Sequence, residues 1–141
     1  MVPPAARRQS TCMPSRHAPI KVFLADDSEL IRDRVADMLR RSAMSVVGQA
    51  STPQDCIDGI LALHPDVVVL DIQLQGGSGL EVLRAVREAA PATGVVVFTS
   101  NADGAYRKRY LREGACSFLD KTSESEKLVS AVESAAHQPV H

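Results

Sequence analysis

The chain has 141 residues, a formal net charge of -1 and an apolar fraction of 45%, which together describe one globular domain with a real core. A near-neutral balance excludes a whole-chain attraction to nucleic acid or to a membrane surface, and no apolar run approaches the length of a membrane span or the core of a signal peptide. The expectation is a cytoplasmic protein without membrane or direct nucleic-acid binding.

The first nineteen residues carry four prolines, three arginines and no hydrophobic period, the composition of a segment that buries too little surface to order itself. Residues 1–19 are expected to form a flexible tail, with Arg7, Arg8 and Arg16 solvated rather than forming a docking arm, and residues 20–138 to form the domain. Cys12, Cys56 and Cys116 show no CxxC or Cys/His spacing, so neither a disulfide framework nor a zinc site is indicated. Cys56 and Cys116 fall on apolar faces and read as small core residues.

From Ile20 the pattern alternates between two periods. Residues 20–25, IKVFLA, form a short apolar run suited to a buried strand. Leu30, Ile31, Val35, Met38 and Leu39 then recur every three to four residues, which gathers them on one helical face capped by Asp27 or Ser28. SVVGQA, residues 45–50, is a second strand. Thr52, Pro53 and Asp55 open a second helix with a cap, a first-turn proline and an acid; Cys56, Ile57, Ile60 and Leu61 give its face, and His64-Pro65 ends it. DVVVL, residues 66–70, is a third strand, followed by a helix over residues 79–89. GVVVFT, residues 94–99, is a fourth strand, followed by a helix over residues 103–112 with a thin apolar stripe of Tyr106, Tyr110 and Leu111. ACSFL, residues 115–119, is a fifth strand. Ser123 and Glu126 have the spacing of a capping box ahead of a last helix bearing Leu128, Val129, Val132 and Ala136. Strands apolar on nearly every residue need cover on both faces, and helical crossovers make them parallel, so the expected fold is a doubly wound α/β sheet of five βα units.

In such a sheet the ligand crevice lies beyond the carboxyl ends of the strands. Here the first strand ends on Asp26 and Asp27, the third on Asp71, the fourth on Thr99, and Lys121 follows the fifth closely. Taken singly, each acid reads as a cap or a solvated loop residue. Converging at one rim, three carboxylates need a cation: two like charges about 4 Å apart repel by roughly 4 kcal/mol at an effective dielectric near 20. A protonated member is one solution, and a hard divalent ion such as Mg2+, with Lys121 beside it, is another. A carboxylate facing a metal, a lysine and a hydroxyl is equipped to accept a phosphoryl group covalently.

These residues resemble the receiver domain of bacterial two-component response regulators, over about Lys21 to Ala136. The resemblance rests on paired acids at Asp26 and Asp27, an acceptor acid at Asp71, a glycine eight residues on at Gly79, a hydroxyl residue at Thr99, an aromatic at Phe118 and a lysine at Lys121. It implies a flavodoxin-like (βα)5 fold of strand order 2-1-3-4-5. It further implies that Asp71 accepts a phosphoryl group from a histidine kinase or histidine phosphotransfer protein. Asp26, Asp27, Asp71 and the backbone carbonyl of Gln73 would hold Mg2+, Lys121 would pair with the phosphoryl oxygens, and Thr99 and Phe118 would switch inward. That switch would change contacts with a downstream protein on the face made by the fourth helix, fifth strand and fifth helix. Gln73 and Asn101 sit where the family tunes the lifetime of the aspartyl phosphate.

Two positions depart from the family pattern. Thr122 follows the lysine where proline is usual, which predicts a trans or strained bond, because a cis bond before a non-proline costs about 2.5–4 kcal/mol. Gln75 stands where a proline is usual, which predicts a looser loop. The expectation is a stand-alone receiver, monomeric or weakly dimeric, that does not turn over free substrate; the alternative is a receiver-like interaction module independent of phosphorylation. A phosphohydrolase is disfavoured because Gln73 replaces the acid such enzymes use as general acid.

Overall fold

The computed structural model describes residues 18–137. The central strand β3 (Val67–Leu70) is apolar at every position and buried at every position, because it has a parallel neighbour on each edge and helices on each face. On one side Val22 to Ala25 of β1 (Lys21–Ala25) pair with Val67 to Leu70, and on the other Val67 to Leu70 pair with Gly94 to Val97 of β4 (Gly94–Thr99). Strand β2 (Ser45–Ala50) closes one edge against β1, with a register shift between Val22 and Phe23, and β5 (Ser117–Asp120) closes the other. The order is β2-β1-β3-β4-β5, all parallel.

The two-residue alternation of side chains divides the core into two layers. Val22, Leu24, Val67, Val69, Val96 and Phe98 meet helix α1 (Glu29–Arg41) through Val35 and Leu39, and α5 (Leu128–Ala136) through Leu128 and Val132. Phe23, Val68, Leu70, Val95 and Val97 meet α2 (Pro53–Leu63), α3 (Gly79–Ala89) and α4 (Gly104–Arg112) on the other face. This is the expected doubly wound receiver-type arrangement, and it puts the carboxyl ends of β1, β3, β4 and β5 on one rim.

Local signals act largely as expected. Ser28 rather than Asp27 caps α1, accepting from the Ile31 N–H at 3.2 Å. Thr52 caps α2, and His64 ends it in the left-handed conformation at φ 51°. Cys56 is buried, which pushes its thiol up to about 12 and leaves it an inert packing group.

Several details differ from expectation. Leu30 is 60% exposed: helix α1 presents a narrower stripe to the sheet than its apolar residues mark out. Strand β5 begins at Ser117, two residues late, because Gly114 takes a positive φ of 114° and only then does the Cys116 N–H join the Val95 carbonyl. The expected capping box of Ser123 and Glu126 does not form. Helix α5 is instead entered through a 3-10 turn, Ser125–Lys127, closed by the Lys127 N–H on the Glu124 carbonyl at 2.9 Å, while the Glu124 side chain accepts from the Asp120 N–H and the Asp120 side chain from the Thr122 N–H. The predicted tail, with its arginines and Cys12, lies outside the described residues up to residue 17.

Candidate phosphoacceptor site

Among the described residues the buried polar side chains are Asp26, Asp71, Thr93 and Thr99. Thr93 is accounted for by its bond to the Pro65 carbonyl at 3.0 Å. The other three lie together at the rim, where β1, β3 and β4 end. Asp26 and Asp71 are brought side by side by the pairing of β1 with β3, whose last bond runs from the Asp71 N–H to the Ala25 carbonyl at 2.8 Å. Asp27 is exposed and completes the group: one carboxylate oxygen from each of Asp26, Asp27 and Asp71 lies within 4.8 Å of the others.

Lys121 reaches into this cluster from the end of β5. Its Nζ donates to Asp26 Oδ2 at 2.6 Å and to Asp71 Oδ2 at 2.9 Å. The Lys121 N–H bonds the Thr99 carbonyl at 2.9 Å, so the ends of β4 and β5 are tied and the lysine's origin is held. Burial alone would lower the Lys121 pKa, but the bonds to Asp26 and Asp71 and their charges outweigh it and hold the ammonium above its ordinary value. Asp26 is pushed up, chiefly by burial and secondarily by the charge of Asp71, against the opposing bonds from Lys121 and the Ser28 N–H. Three carboxylates facing one ammonium leave a surplus of negative charge. That surplus, on hard oxygen donors with few other protein ligands, fits Mg2+.

The backbone around Asp71 is specified by two features. Its Oδ1 accepts from the Gln73 N–H at 3.2 Å, an Asx-type turn that orients the carboxylate. Gly79, whose N–H bonds the Ile72 carbonyl at 2.9 Å, packs directly on this turn: a Cβ there would collide with the Asp71 carbonyl oxygen and lie 3.1 Å from Ile72 Cα. Gly79 is the first residue of α3, whose start carries a reciprocal capping box of Ser78 and Glu81.

The loop between them, where Gln75 stands in place of proline, forms a short hairpin. Gln73–Leu74 pairs antiparallel with Gly77–Ser78, and the turn uses Gly76 at φ 81°. The Gln75 N–H bonds the Ser51 carbonyl at 2.8 Å, pinning the hairpin to the end of β2. A proline at 75 has no N–H with which to make that bond. The second departure follows the same logic. No cis peptide bond occurs among the described residues, so Lys121-Thr122 is trans as expected, and the Thr122 N–H that proline would lack donates to Asp120 Oδ1 at 2.8 Å.

Thr99 and Asn101 stand at the rim but are not drawn onto Asp71. Thr99 Oγ1 accepts from the Asn101 N–H at 3.2 Å. Phe118 is already inside: it is 2% exposed, its ring centroid 6.1 Å from that of Tyr110. The Arg107 guanidinium lies 5.2 Å above the Phe118 ring, donates to the Phe118 carbonyl at 2.9 Å and approaches Glu124 at 3.5 Å. Sequence reasoning missed Arg107 and Glu124 in this role, and also Arg32, which donates to the Asp26 carbonyl at 2.6 Å and to Gln49. Arg32 lies one helical turn after the cap at Ser28, and that spacing was the available signal. Nothing in the sequence pairs residue 107 with residue 124.

Comparison with known proteins agrees with this fold. Residues 22–133 match the model of the response regulator receiver domain. The chain is 34% identical over 114 residues to the response regulator GacA of Pseudomonas aeruginosa, covering 80% of this chain and 53% of that protein. It is 30% identical over 116 residues to the transcriptional regulatory protein DesR of Bacillus subtilis, covering 82% and 57%. It thus spans about half the length of the curated relatives it matches. Among solved structures, the signal receiver domain of the putative response regulator NarL from Mycobacterium tuberculosis superposes with a TM-score of 0.79 at 32% identity, covering 86% of this chain and 98% of that one. The response regulator domain of Thermotoga maritima CheB does so with a TM-score of 0.79 at 25% identity, covering 86% and 99%. The chain belongs to the response regulator receiver domain family.

Proposed function

We propose that this receiver domain accepts a phosphoryl group on Asp71 from a phosphohistidine of a histidine kinase or phosphotransfer protein. The observation that carries the reading is the Lys121 ammonium bonded at once to Asp26 and Asp71, with Asp27 beside them. An Asp71 oxygen attacks phosphorus, the new O–P bond forms as the P–N bond breaks, and the electron pair returns to the imidazole nitrogen of the donor. The carboxylate is pre-oriented by the Gln73 N–H and the close packing of Gly79. Lys121 faces the charge that develops on the transferring oxygens. Asp26, Asp27, Asp71 and the Gln73 carbonyl would hold Mg2+, which when bound supplies positive charge against the phosphoryl oxygens.

Thr99, one strand away from Asp71, is the hydroxyl available to turn toward a phosphoryl group by giving up its bond from Asn101. Gln73 and Asn101 then govern water access and with it the lifetime of the aspartyl phosphate. The output is a change of protein contacts on the face of α4, β5 and α5, in a cytoplasmic signalling protein that turns over no free substrate. No helix among the described residues is long and apolar enough to cross a membrane.

Incubation with Mg2+ and acetyl phosphate, followed by intact mass spectrometry, tests the reading. It requires a hydroxylamine-labile phosphoryl adduct that Asp71→Asn lacks. One observation favours a second reading, an interaction module independent of phosphorylation: Phe118 is already buried beneath Arg107, so the face can hold its form without the modification. An unmodified wild type, tested also with phosphorylated kinases, would establish the second reading in place of the first.

A further inference from the structure

Helix α4 covers the sheet poorly. Of its nine residues only Tyr110 is buried, and short helices in proteins owe most of their stability to the face they bury. Between α4 and the start of α3 lies a groove of about 580 Å³. Leu80 and Tyr106 contribute apolar surface to it, Tyr106 being 43% exposed, and Lys108, Arg109 and Arg112 line its α4 side. At the far end of α4, Arg84 of α3 bonds Glu113 at 3.1 and 3.3 Å. The groove also includes Gln73, beside Asp71.

The charges along this groove are unbalanced. Arg107 turns away to Phe118 and Glu124, and Arg109 shares Glu113 with Arg84 at 3.5 Å. Lys108 and Arg112 have no ion-pair partner among the described residues, although they stand at positions i and i+4, where like charges oppose the helix. An anionic group laid along the groove would relieve that repulsion while covering Leu80 and Tyr106. A concave apolar strip edged by cations suits a polypeptide carrying both apolar anchors and acids, whereas a duplex or a bare phosphate would leave the apolar strip uncovered.

We infer that the groove between α3 and α4 docks an acidic, amphipathic segment of a partner protein. The inference rests on reading the chain as a signalling receiver and names the chemistry of its partner. It places that partner against Gln73, where its arrival alters access to Asp71.

The test replaces Tyr106 with p-benzoylphenylalanine in the full chain, irradiates cells of the source organism and sequences the cross-linked segment. A matching replacement of Leu30, exposed on α1, is the control. The expected result is a peptide with Asp or Glu flanking apolar residues, captured from position 106 and not from 30. Adding Lys108→Glu with Arg112→Glu should cut its yield about tenfold, the worth of two exposed ion pairs. Circular dichroism of that variant separates lost docking from lost folding, and Lys108→Gln with Arg112→Gln gives a milder loss if folding suffers. No adduct, a nucleic-acid adduct, a segment without acids, or the same segments from position 30 would each overturn the inference. Cross-linking needs no phosphoryl group. An adduct without Asp71 labelling would therefore retire the phosphoacceptor reading and leave the groove standing, and the reverse result would do the opposite.

Discussion

Replacing Lys121 by Met isolates what the buried ammonium does. Its stem is retained in outline, while Asp26 and Asp71 lose the cation between them. At 4.8 Å, the outer bound on their oxygen separation, two carboxylates repel by about 3.5 kcal/mol at an effective dielectric of 20. Removing one partner of a buried ion pair costs about 3–5 kcal/mol by general experience, in agreement. Urea unfolding followed by circular dichroism at pH 7 in Mg2+-free buffer should therefore show a loss of about 3–5 kcal/mol. The loss should also depend on pH in a stated direction. The Asp26 pKa is already raised by burial and rises further without Lys121. As pH falls through that value the folded variant takes up a proton more readily than the unfolded chain, and the gap to wild type narrows. Lys121 has a raised pKa, so its contribution is complete below the ordinary lysine value and lost as pH rises through the folded one; the gap narrows there too. Millimolar Mg2+ should narrow it at neutral pH. A gap of the same size at pH 4 and pH 7 would refute the electrostatic account and leave only lost packing.

Three further outcomes follow from individual contacts. Gly79→Ala should push the Asp71 backbone outward, costing roughly 1–3 kcal/mol as overpacking does, and should slow acetyl phosphate labelling more than Asn101→Ala does; unchanged labelling would show that the collision relaxes elsewhere. Arg107→Met should lower stability by about 1–2 kcal/mol, a charge-assisted bond and a ring contact discounted for partial exposure. In fluorophenylalanine-labelled protein it should also broaden or move the Phe118 fluorine signal while those of Phe23 and Phe98 stay fixed. Gln75→Pro should destabilise by about 1 kcal/mol, because it deletes the bond to Ser51; a gain in stability by urea titration would show that loop stiffness outweighs that bond.

Most of the fold was legible because the strands and helices are encoded by local pattern. VVVL is apolar throughout because β3 has sheet on both edges and helices on both faces, and period places Cys56 and Ile60 on the buried face of α2, although Leu61 of the same stripe stays exposed. The caps at Thr52 and Ser28 sit where short oxygen-bearing side chains meet the first free N–H groups. The acids, Thr99 and Lys121 were legible as a set because a parallel sheet brings strand ends to one rim whatever the loops between them do.

Local pattern in the chain therefore encodes the architecture and the identity of the groups at the rim. Tertiary structure alone decided how those groups are held, because the bonds concerned join residues far apart in the chain. Lys121 bridges Asp26 and Asp71 across 95 and 50 residues, and Arg107 meets Phe118 and Glu124 through the packing of α4 on β5. The hairpin at Gln75 is bonded to Ser51, a contact that the missing proline does not announce. The entry to α5 is likewise a 3-10 turn closed on the Glu124 carbonyl, which the spacing of Ser123 and Glu126 does not reveal. Local pattern encodes backbone period and burial; it does not encode which distant donor reaches an acceptor first.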